Sequence, residues 1–177
     1  MATLPHSLDP LFRPRSVAIV GASATPGTVG SILIRNLIEN PFGGVVYPVN
    51  PKRKAVHGVL CYPDLTAIPE QVDLAVIATP AATVPGVIKE CVGRSIPAAI
   101  IISAGFSELG ADGRKLEMEI KAIAKGNMRI IGPNCLGVLH PPSNLNASFA
   151  ASMARPGRVR ESRPRQFSNG PPTAKSS

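Results

Sequence analysis

SVAIVGAS, residues 16–23, is the stretch whose reading decides the fold. Val17, Ala18, Ile19 and Val20 form an unbroken apolar run that stops at Gly21. The run is too short for a helix and rich in β-branched side chains, so it reads as a buried strand. Working outward, the pattern returns at GVVYPVNP (44–51), DLAVIATP (73–80), AAIIISAGF (98–106) and MRIIGPN (128–134). Pro48 is expected to end the second of these strands. Between them lie stretches of helical period. Residues 27–40 place Val29, Ile32, Leu33, Asn36 and Leu37 on one side, with Pro41 as a stop. Residues 82–94 do the same with Val84, Val87, Ile88 and Cys91, and residues 112–125 turn Leu116, Ile120 and Ile123 inward with charges outward. Residues 61–69 read as a Pro-punctuated connection with room for a short helix.

Strands that are apolar on both faces, alternating with helices, predict a parallel sheet covered on both sides. Right-handed crossovers then give a doubly wound α/β fold, whose ligands lie beyond the carboxyl ends of the strands. Those ends carry GAS, VNPK, ATP, SAGF and GPN, all small, polar or turn-forming.

The 177 residues suit one domain, and 44% apolar content supplies its core. Cys61, Cys91 and Cys135 are far apart, so neither a zinc site nor a redox pair is indicated, and a sparse, odd set fits a reducing cytoplasm. No apolar stretch resembles a secretory signal or a membrane span. The net charge of +8 is uneven. Six cations, Arg155, Arg158, Arg160, Arg163, Arg165 and Lys175, face one acid, Glu161, beyond residue 150, so five of the eight charges belong to that segment. The first 150 residues show neither a basic helix nor an aromatic platform, and nucleic acid is not the expected partner. The segment after 150 has no periodicity, is rich in Arg, Pro and Ser, and is expected to be disordered.

The first loop runs from Gly21 through Ser23, Ala24, Thr25, Pro26 and Gly27 to Gly30. A strand enters, glycine allows a sharp turn, and a helix leaves with its free N–H groups toward the loop, which makes a cradle for phosphate. It is neither G-x-G-x-x-G, since Ser23 stands at the second glycine position, nor a Walker A loop, since no lysine follows Gly27. A tight turn without a ligand would carry the same residues. Gly27 is expected to let the loop approach a pyrophosphate closely. At the end of the second strand a dinucleotide site places an acid on the ribose. This chain has Asn50-Pro51-Lys52-Arg53-Lys54 there, which disfavours NAD and suits a phosphorylated ribose, as in coenzyme A or NADP. A solvated basic turn is the plainer reading of the same run. His57 and His140 have no metal-ligand spacing, no nucleophile–base constellation stands at the strand ends, and Glu108 and Asp112 read as the start of a helix.

RSVAIVGASATPGTVG, VYPVNPK, DLAVIATPA, AIIISAGFSELG and RIIGPNCLGV, in this order, resemble the CoA-binding, Rossmann-like domain of the NDP-forming acyl-CoA synthetases. That family includes the succinyl-CoA synthetase alpha subunit, the ADP-forming acetate–CoA ligases (acetyl-CoA synthetases) and bacterial protein acetyltransferases that carry the module as a fusion. The resemblance implies coenzyme A or acyl-CoA as ligand. It implies that Ser23 to Pro26 line the CoA phosphates and that Lys52 meets one of them. Thr79–Pro80 and Ser103–Ala104 would flank the adenosine and pantetheine path, and Asn134 and Cys135 would sit at the thiol end, with Cys135 packing rather than attacking.

The likeness covers about residues 8–157. After ARPG (154–157) the family continues into further domains that supply a phosphorylated histidine and a nucleotide site, whereas this chain turns polar at Arg158. The expectation is therefore a CoA-binding domain over 1–157 with a disordered or out-of-frame tail over 158–177. Alone it would lack the catalytic histidine, and a separate chain would carry the missing ligase domains. A free-standing CoA- or nucleotide-sensing protein and an NADP-binding oxidoreductase fragment are the alternatives.

Overall fold

The structure, a computed structural model, describes residues 8–39 and 42–150. A short helix, α1 (Asp9–Phe12), precedes strand β1 (Ser16–Val20) and helix α2 (Val29–Glu39). Strand β2 (Val45–Val49) is followed by a small hairpin of β3 (Ala55–Val56) and β4 (Val59–Leu60). Then come β5 (Leu74–Ile77), α3 (Val84–Gly93), β6 (Ala98–Ile101), α4 (Ala111–Ala124) and β7 (Arg129–Ile131). A second hairpin, β8 (Gly137–His140) and β9 (Leu145–Ser148), closes the described chain.

The five main strands form one parallel sheet in the order β2-β1-β5-β6-β7. The order reverses between β1 and β5, which is where a doubly wound sheet opens a crevice. Every residue of β1, β5 and β6 is buried, and all but Ser16, whose hydroxyl donates to the Gln71 carbonyl at 3.0 Å, are apolar. The pleat divides them between two layers. Ala18, Val20, Ala75 and Ile77 pack with residues of α3 and α4, while Val17, Ile19, Leu74 and Val76 pack with α2 and the β8–β9 hairpin.

Several boundaries differ from the sequence reading. Pro48 lies inside β2, opposite Ile19. β2 is an edge strand, and the Pro48 carbonyl faces away from β1 to accept the Tyr62 N–H at 2.9 Å, so the missing proline N–H falls on the side where no ladder bond is lost. No helix forms over 61–69; Asp64 Oδ1 instead accepts the Thr66 hydroxyl at 2.5 Å and the Ala67 N–H at 2.9 Å and holds a bend. Helix α2 starts two residues later than expected because Thr28 caps it, its hydroxyl oxygen accepting the Ser31 N–H at 3.3 Å. The helix read at 82–94 opens with a 3-10 turn, Ala81–Thr83. Glu108 likewise sits in a separate 3-10 turn, Ser107–Leu109, ahead of α4. Pro41, the arm bearing His6, and the 157/158 boundary with its basic tail lie outside the described residues.

Candidate functional site

Two hollows open at the carboxyl ends of the strands. The first, about 420 Å³, has Gly21, Asn50, Lys52, Thr79 and Pro80 in its walls, together with Asp64, Thr83 and Glu90. The second, about 330 Å³, is lined by Thr79, Ser103, Ala104, Asn134 and Cys135, with Val29, Ile102, Leu136 and Phe149 around them. Ala78 and Thr79 line both, so the two hollows lie side by side as a groove across the point where strand order reverses. Eight of the thirteen residues singled out from the sequence thus line these adjacent hollows. The other five, Ser23, Ala24, Thr25, Pro26 and Gly27, form a loop that lines neither hollow and leads to Val29 at the start of α2.

That loop is built by close packing. Gly21 has φ +94°, and a Cβ there would lie 2.6 Å from the Ala78 carbonyl oxygen. A Cβ on Gly30 would lie 2.0 Å from the Gly21 carbonyl oxygen. The close approach of helix to loop is therefore made at Gly30. Gly27 has φ +80° and nothing of the chain within 4 Å of a Cβ, so its requirement is conformational and the space beside it is open. The Ser23 hydroxyl oxygen accepts the Thr25 N–H at 3.0 Å and fixes the turn.

At the β2 end, Asn50 is a brace. Its Nδ2 donates to the Ala22 carbonyl at 2.8 Å and its Oδ1 accepts the Lys52 N–H at 2.9 Å, tying the loops after β1 and β2 together. Lys52 is exposed, and its ammonium has no hydrogen-bond or ion-pair partner among the described residues. Thr79 and Thr83 hydroxyls lie 2.9 Å apart.

At the other end, Asn134 takes a left-handed φ of 51° and its N–H donates to the Ser103 carbonyl at 3.0 Å. The Cys135 thiol points back to the Ile101 carbonyl at 3.3 Å, and burial pushes its pKa up. A thiol held protonated is a packing and donor group rather than a nucleophile. Beside Ala104, the Gly105 N–H donates to the Glu108 carboxylate at 2.6 Å; backbone N–H groups of this turn hold that carboxyl below the usual range. The two described histidines, His57 and His140, line neither hollow. His57 Nε2 is 3.1 Å from Ser31 Oγ, and His140 Nδ1 is 2.8 Å from Ser143 Oγ. Among the described residues no group of three or more His, Cys, Asp or Glu is placed to hold a metal ion, and no helix is long and apolar enough to cross a membrane.

Sequence reading missed Asp64, Thr83 and Glu90 in the first hollow and Val29, Leu136 and Phe149 in the second. Thr83 and Glu90 lie on the 3-10 turn and helix after β5 rather than in a strand-end motif. Phe149 arrives from the β8–β9 hairpin, where nothing local marks it.

Fold and groove together define a Rossmann-like domain with a cleft that carries Lys52 and two carboxylates at one end and is thiol-bearing and largely apolar at the other. Residues 15–141 match the family model described as "CoA binding domain", and the chain belongs to that family. It is 44% identical over 156 residues to the alpha subunit of acetate–CoA ligase [ADP-forming] I from Pyrococcus furiosus, a match over 85% of this chain and 34% of that one. It is 47% identical over 155 residues to acetate–CoA ligase [ADP-forming] from Methanocaldococcus jannaschii, over 87% of this chain and 21% of the relative. Among solved structures, the dinucleotide-forming acetyl-coenzyme A synthetase 1 of Ca. Korarchaeum cryptofilum, in complex with phosphate and ADP, superposes with a TM-score of 0.77 at 42% identity. That match covers 81% of this chain and 31% of the synthetase. The chain thus spans between a fifth and about a third of the length of these relatives. It is a CoA-binding domain of the type found in ADP-forming acetate–CoA ligases.

Proposed function

We propose that the groove binds coenzyme A lengthwise and presents its thiol for acyl transfer in an ADP-forming acid–CoA ligase reaction. The observation that carries this is the adjacency of the two hollows, which share Ala78 and Thr79 as lining, with the unpaired Lys52 in the first and Cys135 in the second. In this reading Lys52 meets the 3′-phosphate, and the loop from Ser23 to Gly27 with the first N–H groups of α2 receives the pyrophosphate. Thr79 and Pro80 border the adenosine. Ser103 and Ala104 border the pantetheine arm, and Asn134 and Cys135 the thiol. In the reaction served, the CoA sulfur attacks an acyl phosphate, a C–S bond forms, the C–O bond to phosphate breaks, and the thiol proton leaves with the phosphate. The acyl phosphate and the nucleotide chemistry belong to other ligase domains, for which a partner chain is the proposed source. Two of the relatives are named as alpha subunits, which supports an arrangement of that kind. The test is calorimetric titration of the purified chain with coenzyme A, NADP and NAD. Coenzyme A should bind about tenfold or more tighter than NAD. Equal affinities, or a preference for NADP, would overturn the assignment.

A further inference from the structure

The first hollow mixes charges in a way that phosphate binding does not explain. Lys52 stands in one wall and Glu90, on α3, in another. A carboxylate lowers the local potential and works against a phosphate, so its presence needs a separate reason. Glu90 is half-buried, and its Oε2 accepts the Leu65 N–H at 3.2 Å. Its other oxygen has no partner among the described residues and belongs to a side chain that lines the hollow. The second acid there, Asp64, lies in the Pro63–Ala67 bend, where its Oδ1 accepts from both Thr66 and Ala67. Pro63, Pro80 and Val87 give the same hollow apolar surface of the kind a planar ring packs against. The hollow therefore offers apolar walls and, from the helix α3 beside Val87, a carboxylate oxygen of Glu90 without a partner among the described residues.

We infer that Glu90 reads the base of the ligand, its free oxygen accepting a hydrogen bond from the 6-amino group of adenine. The inference rests on the coenzyme A reading of the groove and adds a specificity-determining residue to it. Adenine presents a donor at C6, whereas hypoxanthine and guanine present a carbonyl oxygen, whose lone pairs would face those of the carboxylate. A site that accepts from a substrate N–H discriminates against an analogue that presents an acceptor there instead, because like lone pairs then face one another and water at the half-buried carboxylate is displaced without replacement.

The probe pair is coenzyme A and its deaminated form, in which hypoxanthine replaces adenine. Both are titrated against the full chain and against Glu90→Gln. Glutamine keeps an oxygen for the Leu65 N–H, and its amide can donate to a C6 carbonyl. The wild-type chain should prefer coenzyme A by about tenfold or more, and Glu90→Gln should erase or invert that preference at unchanged melting temperature. A role confined to bracing the Leu65 segment would weaken both ligands alike and would not swap them. Equal wild-type affinity for the two ligands, or parallel weakening in the variant, overturns the role of Glu90 and leaves coenzyme A binding standing. Failure of the wild-type chain to bind coenzyme A overturns both.

Discussion

Replacing Gly30 with alanine should damage the loop after β1 from beneath, by pressing on its backbone at Gly21 and Ser23. The added methyl carbon would lie 2.0 Å from the Gly21 carbonyl oxygen, 3.0 Å from the carbonyl carbon and 3.2 Å from the Ser23 nitrogen. Ordinary non-bonded contact begins near 3.5 Å, so helix and loop must part by roughly 1.5 Å. The loop has little freedom to yield. The Gly21 N–H is bonded to the Val49 carbonyl at 3.0 Å, and Gly21 itself already sits against the Ala78 carbonyl. Overpacking of this sort costs about 1–3 kcal/mol. For a chain of this size each kcal/mol lowers the melting temperature by about 2–4 °C. On the proposed placement of the pyrophosphate, the same displacement draws the N–H groups of α2 away from it, so affinity for coenzyme A should fall as well. Gly27→Ala is the control. Its methyl would meet nothing within 4 Å, but the left-handed backbone would cost an L-residue about 1–2 kcal/mol. Urea unfolding and calorimetric titration read both variants. Wild-type stability together with wild-type affinity in Gly30→Ala would refute the close-packing account of the loop.

Two further outcomes follow from the groove. Lys52→Ala should weaken coenzyme A binding by about 1–3 kcal/mol, the range of a charge-assisted hydrogen bond, and the loss should shrink for dephospho-coenzyme A; an unchanged dissociation constant would return Lys52 to an ordinary solvated turn. Burial pushes the Cys91 thiol up to about 12 and also raises Cys135, so the thiolate fraction of each is low at neutral pH and grows as pH rises. Iodoacetamide should therefore modify Cys135 slowly, faster at alkaline pH and slower with coenzyme A bound, while Cys91 stays unmodified until the chain unfolds; equal rates at the two cysteines in the folded chain would contradict the packing described.

Periodicity carried the main sheet because β1, β5 and β6 are buried on both faces, and that condition writes itself into the sequence as unbroken apolar runs. It did not carry Pro48, since a proline is excluded only from strands with neighbours on both sides and edge position is a tertiary property. The β3–β4 hairpin was invisible because two-residue strands have no period, although the His57–Gly58 turn between them, with φ of 49° and 79°, has the chemistry of a tight hairpin. In the groove, residues at strand ends were legible because topology alone sends those ends to the ligand side. Glu90 and Phe149 were not, because each reaches the groove from an element whose local pattern only reports burial. Gly27 and Gly30 show the limit most sharply. Both are glycines in one loop, and only the distance to Gly21 tells which is there for space and which for its backbone angle.

If the groove holds coenzyme A as proposed, the strip Ala78–Thr79, common to the lining of both hollows, makes it a two-headed receptor. Once either end of a ligand is seated, the other is delivered at an effective concentration set by its own covalent tether, in the millimolar range for short flexible links. The loss of translational freedom is then incurred once for the whole molecule rather than twice. Adenosine bisphosphate and pantetheine, offered as separate pieces, would each hold on weakly where the joined cofactor holds firmly. Selectivity for the intact molecule is in that sense a property of the spacing of the two hollows across Ala78–Thr79, before any single side chain is counted.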